Sequence, residues 1–251
     1  MKIKIININL WQTGNLQENA FDFLKKEDAD IVLLQEVRNG KGDGLERQFK
    51  PLDIMLLELK YPYFDYAPTF LENMKVRKIE EGNVILSKFP IKSSRAIFYD
   101  VPYGERNGSS VEDFTFTPRN LQCAEIDLGD ESLNVYNTQG IWGTDGEDNE
   151  RRLQMGEVIA NEVSNKTSVV LAGDFNVKEN TETIKKIERN LVNVFKGELK
   201  NSFNMRVKKG PEFAIAVVDM FFASSNLKVV EHSCPDIDVS DHLPLIVTLD
   251  I

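Results

Sequence analysis

Five short apolar runs in this chain each carry, at one end, side chains that can bind a cation or an oxyanion. They are Asn7-Ile8-Asn9-Leu10, Leu34-Gln35-Glu36, Asn137-Thr138-Gln139, Gly173-Asp174-Phe175-Asn176 and Ser240-Asp241-His242. Val169-Val170-Leu171-Ala172 is a buried strand stopped by Gly173, and a second apolar run follows His242 from Leu243 to Leu249. On an extended strand end, Asp174 and Asn176 point the same way because they are two residues apart. Val218-Asp219-Met220-Phe221 places an acid inside an apolar strand. A carboxylate buried there needs a partner, and an imidazole is the obvious one. Acids, carboxamides and one histidine delivered by separate strands suit metal-assisted attack on a phosphate ester, which needs a group to activate water and others to hold a hard cation and the phosphoryl oxygens.

Periodicity sets the architecture around these ends. Lys2 to Leu10 alternates and is rich in isoleucine, so it reads as a strand. Leu16, Ala20, Phe21, Phe23 and Leu24 form a helical stripe ending near Lys26, and Ile31 to Leu34 is a buried strand. A second helix is expected over Leu45–Leu59, after the loop Asn39–Gly44. Further strands are expected at Asn83–Ser87, Ile97–Tyr99, Leu121–Leu128 and Leu133–Asn137, and helices at Glu150–Val163 and Thr181–Glu188. Three C-terminal strands centre on Ala214–Phe222, Leu227–Val230 and Leu243–Leu249. Strands alternate with helices early, and strand pairs crowd the middle and the end. That mixture predicts an α/β fold of two sheets covered by helices, not one parallel doubly wound sheet.

The 251 residues hold no Gly/Ser/Pro-rich linker and no fixed-period repeat, so one domain over 1–251 is expected. The formal net charge of -10 excludes general adhesion to nucleic-acid backbone through a basic surface. Two cysteines, Cys123 and Cys234, exclude a disulfide framework. No run has membrane-spanning length and no apolar leader opens the chain. A cytoplasmic, monomeric protein without stable membrane association is the expectation.

Together the motifs resemble the endonuclease/exonuclease/phosphatase superfamily, the deoxyribonuclease I-like fold. Gly173-Asp174-Phe175-Asn176 and Ser240-Asp241-His242-Leu243-Pro244 carry the likeness most specifically. Leu34-Gln35-Glu36 and the segment Gly82–Ile91 are weaker matches. The resemblance implies a four-layer α/β sandwich, two mixed β-sheets packed face to face and flanked by helices. It implies a phosphoester hydrolase that uses Mg2+, with Mn2+ as a substitute. By motif, Glu36 binds the cation with Asn9 beside it, and Asp241 contributes to the cation site or to water positioning. Asn7, on the same strand face, is the rival of Asn9. Asp174 orients or deprotonates water, Asn176 holds a phosphoryl oxygen, and His242 stabilises phosphate charge while Asp219 fixes its ring. Arg151, Asn137 and Trp142 are candidate substrate contacts; Arg151 is equally well a solvated helix residue and Trp142 a packing aromatic.

One position departs from the pattern. Gln139 stands where the family usually has His, and an amide cannot exchange a proton near neutral pH. General acid–base help is worth about 10²–10⁴-fold, so restoring histidine is expected to raise turnover if a missing acid limits the chain. A phosphodiesterase on nucleic acid or a nucleotide-like diester is the leading expectation. A catalytically weak phospho-ligand binder, and a phosphatase or phospholipid phosphodiesterase of the same superfamily, are the alternatives. The stretches Tyr61–Arg77 and Pro102–Pro118 are expected to be loops at the cleft, with Tyr63, Phe64, Tyr66, Phe70, Lys75, Arg77 and Lys78 as an aromatic and basic contact surface.

Overall fold

The structure, a computed structural model, describes residues 1–13, 15–40, 45, 49–74, 77–106 and 114–251. Two mixed sheets form the centre. The first has seven strands: β1 (Lys2–Asn9), β2 (Ile31–Gly40), β3 (Tyr63–Met74), β4 (Arg77–Ser87), β6 (Glu105–Arg106), β12 (Lys228–Ser233) and β13 (Leu245–Asp250), in the order β12-β13-β1-β2-β4-β3-β6. The second has six: β5 (Ile91–Phe98), β7 (Asn120–Asp127), β8 (Ser132–Gln139), β9 (Val169–Asp174), β10 (Val192–Asn193) and β11 (Asp219–Ala223), in the order β10-β11-β9-β8-β7-β5. Among the described residues the α-helices are α1 (Gln17–Glu27), α2 (Pro51–Leu59), α3 (Glu150–Val163) and α4 (Glu182–Glu188).

Alternation of side chains along the strands builds four layers. Ile3, Ile5, Leu33 and Ile85 of the first sheet meet Ile126, Val135, Val170 and Phe221 of the second in a core between the sheets. The opposite face of the first sheet, with Ile6, Ile8, Val32 and Leu86, packs on Phe21 and Leu24 of α1 and Met55 of α2. The outer face of the second sheet, with Tyr136, Val169 and Leu171, packs on Met155, Ile159 and Val163 of α3 and Ile184 and Ile187 of α4. Strands buried on both faces read as continuous apolar runs, which is why the starts of β2 and β9 are so legible, while β1 is read from its alternation.

The parallel pairs β1/β2 and β8/β9 carry their polar C-terminal ends to the same edge of the sandwich. Beneath that edge the core turns polar. Gln35 donates to Asn7 at 2.9 Å and to Asn137 at 2.6 Å, and Asn137 donates to the carbonyls of Leu34 and Val84 and to the Gln122 carboxamide. These buried carboxamides bond one another across the two sheets, and only part of the set is paired, Asn7 Nδ2 and Gln35 Oε1 being left without a partner among the described residues.

Several expected elements are corrected. The stretch from Tyr61 is not a cleft loop: Tyr63–Met74 is the long strand β3, paired antiparallel to β4. Its alternation is masked by aromatics on both faces, Tyr63 and Phe64 being exposed and Phe70 buried. Lys78 pairs with Glu105 at 2.6 Å; Lys75, and Gly-rich positions 41–44, lie outside the described residues. The second helix begins at Pro51, six residues late, because proline lacks the N–H that an interior turn needs and suits the first turn. Among the described residues no helix is long and apolar enough to cross a membrane.

Candidate functional site

The polar strand ends converge on a cavity of about 400 Å3. Local backbone geometry aims each of them. β2 pairs Leu34 with Val84 and then Val37 with Gly82, so an extra residue bulges out and Glu36 adopts a left-handed φ of 57°. A non-glycine residue held there is strained, and the bulge turns its carboxylate towards the cavity. Asn176 is held likewise, with φ of 55°, by its own N–H donating to Asp174 Oδ1 at 2.9 Å. Gly173 is required because a Cβ there would collide with the Thr138 carbonyl oxygen of the neighbouring strand. The antiparallel register sets Asp219 directly opposite Asp174.

One amide links the first two acids. Asn9 Nδ2 donates to Glu36 Oε1 at 3.1 Å and to Asp174 Oδ2 at 3.0 Å. Asn9 and not Asn7 therefore serves the site; Asn7 stays in the polar floor. Glu36 also accepts from the Gln12 backbone at 3.0 Å and from Gln139 Nε2 at 2.6 Å. Gln139 Oε1 in turn accepts from Arg119 at 2.7 Å, and Arg119 lies 3.9 Å from Glu81. Both ends of the Gln139 amide are thus committed, and the side chain is 1 % exposed.

His242 completes the group. Its Nδ1 meets Asp219 Oδ2 at 2.8 Å, and its Nε2 faces Asp241 Oδ1 at 4.0 Å. Burial alone would push the imidazole pKa down. The negative charges of Asp219 and Asp241, with the Asp219 hydrogen bond and Asp174, outweigh it and raise the value to about 10. His242 is therefore an imidazolium at neutral pH, its Nδ1–H given to Asp219 and its Nε2–H left for a ligand. Burial raises the Asp174 carboxyl to about 6, His242 opposing and Asp219 adding to the effect. Burial and then Glu36 raise Glu81 to about 8.

All three shifts carry one sign. Each group holds its proton more tightly folded than unfolded, where the ordinary values are 3.8, 4.5 and 6.5. The folded chain therefore binds more protons across this span, and stability falls as pH rises. The His242 contribution is complete below its unfolded value and is lost as pH climbs through about 10. The cost of burying Asp174 and Glu81 as anions grows up to about pH 6 and 8. The midpoint of thermal unfolding of metal-free protein is expected to fall between about pH 6 and 9, and Mg2+ is expected to flatten that fall by compensating the acids. A metal-free midpoint that rises over this range would contradict the assignment.

A family model described as the Endonuclease/Exonuclease/phosphatase family matches residues 7–242. The chain belongs to the endonuclease/exonuclease/phosphatase family. A comparison with curated protein sequences finds no match. Among solved structures, a family protein of Beutenbergia cavernae superposes with a TM-score of 0.79 at 15% identity, over 99% of this chain and 71% of that one. A mannosyl-6-phosphatase of Bacteroides thetaiotaomicron gives 0.70 at 17%, covering 99% and 100%. D. rerio TDP2, complexed with single-strand DNA product, gives 0.69 at 14%, covering 100% and 99%. Identities this low establish a shared fold.

Members of the endonuclease/exonuclease/phosphatase family are hydrolases of phosphoesters and generally use divalent metals. The donors present suit such an ion. Glu36 and Asp174 offer hard carboxylate oxygens to one cavity, while Asp241 on its wall is paired with Lys208 at 2.8 Å; burial and the nearby Asp219 hold Asp174 well above its ordinary pKa. Asp174, Asp219 and His242 also place ligand atoms within 4.8 Å of one another. That trio is the poorer seat, because the imidazolium already occupies Asp219.

Two expected substrate contacts are corrected. Asn137 is fully buried in the polar floor, where its amide serves Leu34, Val84 and Gln122. Arg151 turns away to an ion pair with Asp100, donates to the Thr115 carbonyl at 2.7 Å and stacks over Phe116. Its neighbour Arg152, fully buried, shapes the cavity wall by holding Ile141 O, Asp145 and Glu147 O. Trp142 lines the cavity, edge-on to Phe114 at 4.8 Å between centroids. Sequence reading missed Arg119, Glu81 and Lys208. Glu81 gave no signal in the sequence, since it follows Glu80 and precedes Gly82 and Asn83; only the fold shows it buried, where a charge demands a partner.

Proposed function

We propose that the chain is a Mg2+-dependent phosphoester hydrolase, acting on a phosphodiester of nucleotide-like size. The observation that carries this reading is the convergence of Glu36, Asp174, Asn176 and the Asp219-held His242 on one cavity, with the buried Asn9 amide bonding the first two acids. Glu36 is the anchor for the ion, with Asn9 fixing its carboxylate and Asp174 next to it. The ion, when bound, neutralises phosphoryl charge and favours ionisation of a bound water. Asp174 takes the proton of the attacking water; its raised pKa suits a base working near neutrality. His242 presents Nε2–H to a phosphoryl oxygen and is held in place by Asp219, so charge developing on phosphorus meets a fixed donor. Asn176, at the cavity wall, offers its carboxamide to another phosphoryl oxygen.

The cavity's composition bears on the substrate. It mixes Trp11, Phe114, Trp142 and Phe213 with the acids, a lining that can hold a flat or ring-bearing group beside the phosphate. The net charge of -10 disfavours an extended polyanion. The test is hydrolysis of a panel comprising single-stranded and duplex DNA, RNA, dinucleotides, phosphoinositides and a bis-aryl phosphodiester, each with Mg2+, Mn2+ or EDTA. Metal-dependent release from the small diesters is expected. Tight binding of phosphorylated ligands with no turnover of any substrate would favour the binding-module alternative instead.

Gln139 bears on the leaving group. An imidazole at this position would accept from Arg119 at one nitrogen and donate to Glu36 from the other, so it would have no proton free for substrate. The gain expected from sequence alone therefore shrinks: Gln139→His is expected to leave turnover of both alkyl and aryl diesters near that of the unaltered chain. A selective rise of about 10²-fold on the alkyl diester would restore the missing-acid reading.

A further inference from the structure

The wall of the same cavity holds a cation, Lys208, that has no part in the chemistry proposed so far. Lys208 Nζ lies 2.8 Å from Asp241 Oδ2, with the lysine side chain 29 % and the aspartate 3 % exposed. It sits over two aromatic rings, 5.3 Å from the Phe213 centroid and 5.9 Å from that of Phe203. The segment carrying it is wired to the strand end that carries His242. Phe203 bridges His242 through the backbone, Asn204 N–H donates to the Asp241 carbonyl at 2.8 Å, and Leu243 N–H donates to the Ser202 carbonyl at 2.8 Å. Asn204 Nδ2 donates to the Ser240 carbonyl at 2.8 Å, and Lys208 N–H donates back to the Asn204 carbonyl at 2.9 Å. A lysine stem packed on aromatic rings loses freedom before any ligand arrives.

The other cations on the cavity are differently placed. Among the described residues, Arg119 is buried against Gln139, and Lys178 is paired with the exposed Glu147 at the outer rim. Asp241 Oδ2 holds Lys208, while Oδ1 lies 4.0 Å from His242 Nε2 and 3.3 Å from the Ser240 hydroxyl, whose proton goes to the Asn9 carbonyl at 2.6 Å. We propose that Lys208 is a substrate-contacting residue that binds a phosphoryl oxygen and occupies the seat a second divalent ion would take at Asp241, leaving a single metal site centred on Glu36. An ammonium has three N–H donors; Asp241 uses one and two remain for the phosphate. As a compact point charge on a flexible stem, it can keep Asp241 while meeting a ligand.

The inference rests on the proposed phosphoester site, and its test is chosen to stand apart from turnover. Mn2+ alone is titrated calorimetrically into the unaltered protein, Lys208→Met and Lys208→Arg; inorganic phosphate is then titrated into each at a Mn2+ concentration that fills only the tighter site. One Mn2+ site is expected in the unaltered protein and in Lys208→Arg, and a second, weaker site in Lys208→Met. Phosphate binding is expected to weaken at least about 10-fold in Lys208→Met, the scale of one charge-assisted hydrogen bond, and less in Lys208→Arg. Thermal unfolding of all three confirms that folded proteins are compared, and Lys208→Arg keeps the test meaningful if the Met variant does not fold. Two Mn2+ sites in the unaltered protein overturn the proposal. So does undiminished phosphate binding in the Met variant, or, if that variant does not fold, phosphate binding to Lys208→Arg as tight as to the unaltered protein. If no phosphoester is hydrolysed, the hydrolase reading fails while these binding results still decide the role of Lys208.

Discussion

Asp174→Asn is expected to reduce turnover of a small phosphodiester by about 10²–10⁴-fold, the usual worth of a general base. The fold should survive the change. Asp174 is buried, its Oδ1 accepting from Asn176 N–H and its Oδ2 from Asn9, and burial already holds its carboxyl up at about 6. Asparagine keeps the size and an oxygen for the backbone donor, and removes a buried negative charge that stands opposite Asp219. Stability of the metal-free protein is therefore expected to hold or rise while activity collapses. Steady-state kinetics together with thermal unfolding of the two proteins check this. A variant that loses activity and stability in parallel would point to a structural role for Asp174 instead.

The second large effect lies under the site. Above about pH 8, where Glu81 is ionised, Arg119→Met is expected to destabilise the protein by roughly 3–5 kcal/mol, the range for removing one partner of a buried ion pair. Arg119 is 2 % exposed, and its guanidinium serves Gln139 at 2.7 Å and Glu81 at 3.9 Å beside the rings of Phe70 and Phe114. Methionine fills much of the space and leaves Glu81 without its compensating charge. The deficit should grow as pH rises, because Glu81 titrates near 8 even with Arg119 present. Adding Glu81→Gln to the Met variant should recover much of the loss, since removing both charges differs from stranding one. Chemical denaturation of the two single variants and the double variant measures this. Equal stability of Arg119→Met and the unaltered chain would show that the pair carries little energy.

What the sequence makes legible follows from where each residue sits. Runs such as Ile31–Leu34 and Val169–Ala172 are buried on both faces, so composition alone announces strands and their polar ends announce the site. The Asp219–His242 pair is legible for the same reason, as an acid within an apolar run must find a partner. β3 is not legible because aromatics face both core and solvent along it, which hides the period-two signal. Asn137 and Arg151 mislead for a related reason. Position in a motif does not say which way a side chain turns, and one residue faces the polar floor while the other reaches Asp100. Arg119 and Lys208 escape notice because their partners, Gln139 and Asp241, lie 20 and 33 positions away, a separation that only the folded topology closes.

The central claim is that this cavity hydrolyses phosphoesters with a divalent ion anchored at Glu36 and with Asp174 as base. The most direct test follows release of product from a bis-aryl phosphodiester by metal-stripped protein, then after adding Mg2+, then after EDTA, with Asp174→Asn in parallel. Hydrolysis that appears with Mg2+, vanishes with EDTA and is lost in Asp174→Asn is the expected result. Hydrolysis by the stripped protein that Mg2+ leaves unchanged, or full activity in Asp174→Asn, would contradict the claim.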